Sequence, residues 1–293
     1  MHVTKALQSI PGLQRLVDYG VRHTNLTARQ KHSGHKIPLI GGFGTENLIG
    51  DREYPVERII ARLLGLRGGA FIDVGANIGQ TLLKVKSADP ARPYLGFDVQ
   101  AACIFYLQRL IEANTFENCS VIPVGLGLRD GVFPLLFNWE ADVSATIDPN
   151  FRATEFYSRS AFGVIRNGDE ALLEIGVKDV AVVKADVEGG EADVIEGLAQ
   201  TISVQRPFIV CEVLPTVHLT DARIVAHRRD GMARLLKFAS ERSYVIFRIG
   251  PDGAVQPVEN FDLQEYRQDL CNYLFAPAEQ KQHFSAYGEI ATL

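Results

Sequence analysis

Cysteine is scarce in this chain, four in 293 residues, and no two of them form a C-x-x-C pair. That spacing excludes a zinc knuckle and a redox dithiol. Cys103, Cys119, Cys211 and Cys271 stand far apart and read as reduced, buried thiols of a cytoplasmic protein. No apolar run approaches the ~18 residues that span a bilayer, so no integral membrane segment is expected. The first residues lack the basic region and apolar core of a secretory signal. Positive charge is short as well: 30 Lys and Arg stand against 35 Asp and Glu, a formal charge of −5. A long nucleic acid wants a basic surface, so no nucleic-acid partner is expected. The glycine-rich run at 40–44 has no strand-then-lysine context and is not a phosphate loop.

What is present is the segment Phe71-Ile72-Asp73-Val74-Gly75-Ala76-Asn77-Ile78-Gly79-Gln80. It reads as a strand that stops at a glycine turn and opens directly into a helix. Such a turn gathers backbone N–H groups and a helix N-terminus, where they can face a polar ligand. Asp73 adds a negative charge that would oppose a pyrophosphate but suits ammonium and sulfonium groups, as in S-adenosyl-L-methionine (SAM). A dinucleotide fingerprint, G-x-G-x-x-G, needs glycine at its second and third places. Here Asn77 fills the second place, and no glycine stands at the third.

Strand and helix signals alternate through the rest. Helices are expected at 55–66, 78–87, 101–114, 169–175, 191–202 and 231–242. Strands are expected at 70–74, 94–99, 120–124, 180–185, 208–213, 244–249 and 272–276, with an extra one at 131–138. Alternation implies a doubly wound, mostly parallel sheet. The apolar run Val180-Ala181-Val182-Val183 suits a strand covered on both faces. No helix separates the last two strands, which predicts an antiparallel pair at the sheet edge, as is typical of SAM-dependent methyltransferases. Leu7, Ile10, Leu13, Leu16 and Val17 suggest an amphipathic helix near the start.

In an open α/β sheet the ligand lies over the carboxyl ends of the strands. Candidate cofactor-binding residues therefore follow each strand: Asp73, Gly75, Asn77 and Gly79 after the first, and Asp98 after the second. Asp98 stands roughly 20–25 residues beyond the turn, where an acidic side chain meets a ribose diol. The fourth strand runs into Asp186, Glu188, Gly189, Gly190 and Glu191, and the fifth ends at Glu212. Asp186 and Glu188 are positioned to bind the methionyl ammonium, orient a substrate hydroxyl or take its proton. Lys184 can neutralise one of them, and Glu191 suits a helix start. With Glu212 the same carboxylates would form an oxygen-rich cation site; the reading carried forward has no metal.

Asp73-Val74-Gly75-Ala76-Asn77-Ile78-Gly79-Gln80-Thr81 together with Lys184-Ala185-Asp186-Val187-Glu188-Gly189-Gly190-Glu191 resembles the FkbM family of SAM-dependent methyltransferases. Val194-Ile195-Glu196-Gly197 resembles the continuation of the second motif, and Ile209-Val210-Cys211-Glu212 the family's fifth strand. The resemblance covers roughly residues 55–278. Family members commonly have Glu-Pro where this chain has Asp98-Val99, and often a His where it has Leu214; His218 lies nearby. The resemblance implies a class I methyltransferase (Rossmann-like) α/β fold, doubly wound and mostly parallel with an antiparallel edge strand. It also implies that Gly125 and Leu126 line the adenine. Trp139 to Ile147 would reach the active site, with Ser144 hydrogen-bonding the cofactor carboxylate.

The expected organisation is an N-terminal helical extension at 1–50, acting as a lid or dimer element, and a methyltransferase domain at 51–293. The expected activity is SAM-dependent O-methylation of a hydroxyl on a sugar, glycan or polyketide-like acceptor, and a homodimer is the candidate assembly. Catalytic candidates are Asp186 and Glu188, then Glu212 and His218. Asp186 also counts among the cofactor-binding residues. Two competing readings are a nicotinamide-dependent oxidoreductase on the same fold and a catalytically silent SAM-binding partner protein.

Overall fold

The computed structural model describes residues 26–31, 33–41, 43, 45–49, 55–261 and 267–284. A hairpin of β1 (Thr27–Arg29) and β2 (Lys36–Pro38) comes first, followed by a helical turn at Glu46–Ile49 and helix α1 (Pro55–Leu66). Then β3 (Ala70–Val74), α2 (Gln80–Ala88), β4 (Tyr94–Phe97), α3 (Ala101–Asn114) and β5 (Cys119–Ile122) alternate. Three strands, β6 (Gly125–Gly127), β7 (Gly131–Phe137) and β8 (Arg159–Asn167), lead into α4 (Gly168–Ile175). The chain continues as β9 (Val180–Ala185), α5 (Glu191–Gly197), α6 (Ala199–Gln205) and β10 (Phe208–Glu212). It closes through α7 (Ala222–Glu241), β11 (Tyr244–Ile249), β12 (Val255–Pro257) and β13 (Asn272–Pro277).

The main sheet runs β12-β11-β13-β10-β9-β3-β4-β5. From β10 to β5 every neighbour is parallel, and β13 pairs antiparallel with both β10 and β11. This is the mostly parallel class I methyltransferase sheet expected from the sequence. The two late strands do pair antiparallel, but β13 sits inside the sheet and the antiparallel edge belongs to β12. All five residues of β3 and all six of β9 are buried, because each face of the sheet carries a helical layer. Ile59, Leu63, Leu82, Leu83 and Leu107 pack on one face, with Phe71. Leu172, Val194, Ile195, Leu235 and Phe238 pack on the other, with Ile72.

Two expectations need correction, and a third cannot be compared. The helix foreseen near residues 7–17 lies outside the described residues, and the described part of the extension is a hairpin with one helical turn. Ile37 is fully buried, and Tyr106 Oη donates to the Pro38 carbonyl at 2.8 Å. The hairpin thus holds to α3 by a side chain that alternation places inward. The helix foreseen at 191–202 is two helices. A Cβ on Gly197 would lie 2.0 Å from the Gly127 carbonyl oxygen, so α5 ends against β6 and the chain turns at Leu198. The helix foreseen at 231–242 begins at Ala222, where the Asp221 side chain accepts from the Arg223 and Ile224 N–H groups.

Candidate active site

A cavity of about 1620 Å³ opens over the carboxyl ends of β3, β4, β9 and β10. Asn77, Asp98, Leu126, Asp186, Glu188 and Glu212 all line it. Pockets for one drug-sized ligand run to about 1,000 Å³, so there is room for a cofactor and an acceptor together.

The glycine turn is built differently from expectation. Gly75 and Ala76 N–H both bond the Phe97 carbonyl, and Asn77 N–H bonds Asp98 Oδ2 at 2.8 Å. Gly79 N–H bonds the Ala76 carbonyl. These N–H groups serve the turn itself and are not left to a ligand. Gly75 and Gly79 both have left-handed φ, +83° and +98°. A Cβ on Gly75 would collide with the Asp186 backbone, and one on Gly79 with Leu110 and Leu107 of α3. Their smallness lets β3 approach the end of β9, and the turn approach α3. Gly79 is not among the residues lining the cavity.

Asp73 is also absent from the lining. It is fully buried, accepts a 2.5 Å hydrogen bond from Tyr94 Oη, and its Oδ1 lies 3.7 Å from Lys184 Nζ. Burial pushes its pKa up, while Lys184 and Tyr94 pull the other way. Lys184 reaches Asp186 at 3.0 Å as well, so it joins the buried charge to the one in the cavity. Burial works against the Lys184 charge, yet Asp186 and Asp73 hold its pKa above the ordinary value.

Asp98 follows β4 and lines the cavity. Oδ2 accepts from Asn77 N–H and Oδ1 from Gln100 N–H at 2.8 Å each. Burial lifts its pKa to about 6, moderated by those two backbone donors. Each carboxylate oxygen accepts more than one hydrogen bond, so the group holds the turn and keeps acceptor capacity toward the cavity. Gly125, Leu126, Val99 and Phe133 form an apolar wall nearby.

The ends of β9 and β10 carry the expected carboxylates. Glu188 has φ +56°, a strained conformation for a residue with a side chain. Its carboxylate forms a 2.7 Å ion pair with Arg152. Arg152 in turn lies over the Phe151 and Phe156 rings and reaches the Ser144 carbonyl. Burial raises the Glu188 pKa to about 7 despite Arg152. Glu191 folds back on its own turn, accepting from Val187 and Gly189 N–H, and burial raises its pKa to about 7 also. Glu212 is held well above the carboxylate range by burial and by Asp186, Glu188 and Glu191. Among the described residues no group of three or more His, Cys, Asp or Glu is arranged to hold a metal ion.

Two further sequence candidates lie off the cavity. Ser144 donates to Asp142 Oδ1 at 2.7 Å and does not line it; nor does His218, an exposed residue beyond β10. The histidine that does line it is His227 of α7, bonded to Asp148. His227, Asp148 and Arg152 escaped sequence reasoning. The signal for His227 was the Asp221 cap, which starts α7 early enough to carry residue 227 inward.

The chain matches the methyltransferase FkbM domain over residues 73–223. It belongs to the FkbM methyltransferase family. Methyltransferase 1 of the fungus Beauveria bassiana is 24% identical over 143 residues, 44% of this chain and 57% of that protein. The chain thus spans little more than half the length of that relative. The solved FkbM methyltransferase of Methylobacillus flagellatus is 16% identical, covering 71% of this chain and 43% of that one, with a TM-score of 0.42. The O-methyltransferase TomG of Streptomyces achromogenes is 11% identical, covering 80% and 86%, with a TM-score of 0.43. Family membership removes the nicotinamide alternative, and the methyl donor is SAM. The cavity fits that donor: Asp98 beside an apolar wall suits a ribose and a planar base, and Asp186 suits an ammonium.

Proposed function

We propose that this protein transfers the methyl group of SAM to a hydroxyl oxygen of a sugar, glycan or polyketide-like small molecule. The observation that carries this reading is the placement of Glu188 and Glu212 in the same cavity as Asp98. Asp98, Asn77 and Leu126 would hold the nucleoside end, and Asp186 the methionyl ammonium. Bound SAM supplies an activated methyl group. The protein's part is to hold an acceptor hydroxyl in line with it, and such positioning contributes much of the barrier reduction in transfers of this kind. Glu188 and Glu212 would hydrogen-bond acceptor hydroxyls, a chemistry matched to polyols.

The N-terminal extension belongs to the same proposal. Gln30, Ser33 and Leu48 line the cavity, which supports a lid role for residues 1–50 over the domain that follows. Val132, Phe162 and Val164 share an exposed apolar face of the β7–β8 ladder, which a homodimer would cover. Among the described residues no helix is long and apolar enough to cross a membrane. The four cysteines are free, in keeping with a cytoplasmic setting.

The test has two stages. Denatured protein is examined by mass spectrometry for SAM or S-adenosylhomocysteine. Trideuteromethyl-SAM is then offered with pooled sugars, phenols and amines. A labelled methyl ether is the expected product; label on nitrogen alone would overturn the oxygen reading.

A further inference from the structure

Residues 138–152, between β7 and β8, meet the first turns of α7 across one wall of the cavity. Two neighbouring side chains make the joint. Arg228 donates to the Phe151 and Pro215 carbonyls. His227 Nε2 bonds Asp148 Oδ2, and both residues line the cavity.

Asp148 is held rigidly. Its N–H donates to Thr146 Oγ1 at 2.9 Å, and its Oδ1 accepts from Asn150 N–H at 2.9 Å. Thr146 Oγ1 donates to the Glu188 carbonyl at 2.7 Å, so one hydroxyl ties Asp148 to the strained end of β9. The Asp148 side chain is only 15% exposed and that of His227 37%. A carboxylate on Nε2 selects the tautomer with its proton there, leaving the lone pair on Nδ1.

The carboxylates of the cavity are engaged elsewhere. Glu188 already holds Arg152 at 2.7 Å and Asp186 already holds Lys184 at 3.0 Å, so neither is free to turn to an acceptor hydroxyl. Glu212 is already held toward its neutral form. His227 keeps its Nε2 contact with the Asp148 carboxylate when Nδ1 takes a proton, and that carboxylate faces the positive charge the ring then carries.

We propose that His227, oriented by Asp148, takes the proton of the acceptor hydroxyl. This rests on the O-methylation reading above. The acceptor oxygen gains the methyl carbon, the electron pair of the broken sulfur–carbon bond stays on sulfur, and the hydroxyl proton passes to His227 Nδ1. The half-exposed ring then returns it to solvent. Asp148 is a positioning residue in this scheme.

The full chain tests it. Long-range proton–nitrogen NMR of the wild-type ring is expected to place the proton of the neutral form on Nε2, and Asp148→Asn to abolish that preference. His227→Gln, which can still donate to Asp148, is expected to slow transfer to whichever pooled hydroxyl the wild type methylates by at least about 100-fold. SAM affinity by calorimetry should stay within about twofold, since the loss lies in the transition state. Glu188→Gln should slow transfer less than His227→Gln. A wild-type proton on Nδ1, or His227→Gln transfer within about threefold of wild type, overturns the proposal. Wild type that methylates only amines overturns the underlying reading instead, before any variant is made.

Discussion

The carbonyl oxygen of Asp186 stands 1.9 Å from where a Cβ on Gly75 would be. One missing methyl group therefore sets how closely the glycine turn approaches the end of β9, and with it the distance between the two motifs. Gly75 is a packing residue first.

Gly75→Ala is accordingly expected to destabilise the fold, and to weaken cofactor binding only as a consequence. A left-handed φ costs a non-glycine residue about 1–2 kcal/mol, and the backbone collision adds to it. Gly231 offers the control. It lies inside α7 with nothing within 4 Å of an added Cβ. Gly231→Ala should stabilise by about 0.5–1 kcal/mol. Urea unfolding of both variants checks the pair; a neutral Gly75→Ala would show that the turn gives way.

Asp98→Ala removes the acceptor for two backbone N–H groups as well as any diol contact. SAM affinity by calorimetry should fall by about 1.5–3 kcal/mol, the range for hydrogen bonds to a charged group. Asp98→Asn keeps a side-chain oxygen for one of those donors and should fall by less. Equal affinity in wild type and Asp98→Ala would take Asp98 out of the site.

Glu188 and Glu191 have folded pKa values of about 7, both raised by burial. Between the unfolded value and about 7 the folded state holds more protons than the unfolded chain. The stability these groups contribute is present in full below the unfolded pKa and is lost as pH rises through about 7. The slope per group is at most about 1.4 kcal/mol per pH unit. Glu191→Gln should flatten the fall in melting temperature between about pH 5 and 8. An unchanged slope would show that Glu191 is already ionised at the low end.

Arg152→Gln leaves Glu188 buried beside no counter-charge. Breaking one side of a buried pair typically costs about 3–5 kcal/mol, whereas neutralising both sides restores much of that. The Arg152→Gln/Glu188→Gln double variant should therefore be more stable than Arg152→Gln alone. Chemical denaturation of the four-protein cycle measures the coupling, and additive losses would mean the pair contributes nothing.

Much of the fold was legible because its strands are buried on both faces. The run 180–185 and the segment 70–74 agree in both bounds with β9 and β3, since only a strand between two helical layers needs such unbroken apolar sequence. β8 was missed because most of its residues face solvent, as its exposed Phe162 and Val164 show. The front of α7 was missed because Arg223, His227, Arg228 and Arg229 mask its apolar stripe.

By itself the sequence determined the class of sheet, the position of the turn and the spacing from turn to Asp98. These depend on local period and on contacts near in the chain. Only the tertiary structure decided which side chains face the cavity. Asp73 turns away to Tyr94 and Lys184, Ser144 is taken by Asp142, and His218 stays at the surface. His227 and Asp148 meet across 79 positions of chain. No local pattern records such a meeting, because it depends on how α7 and the β7–β8 connection pack.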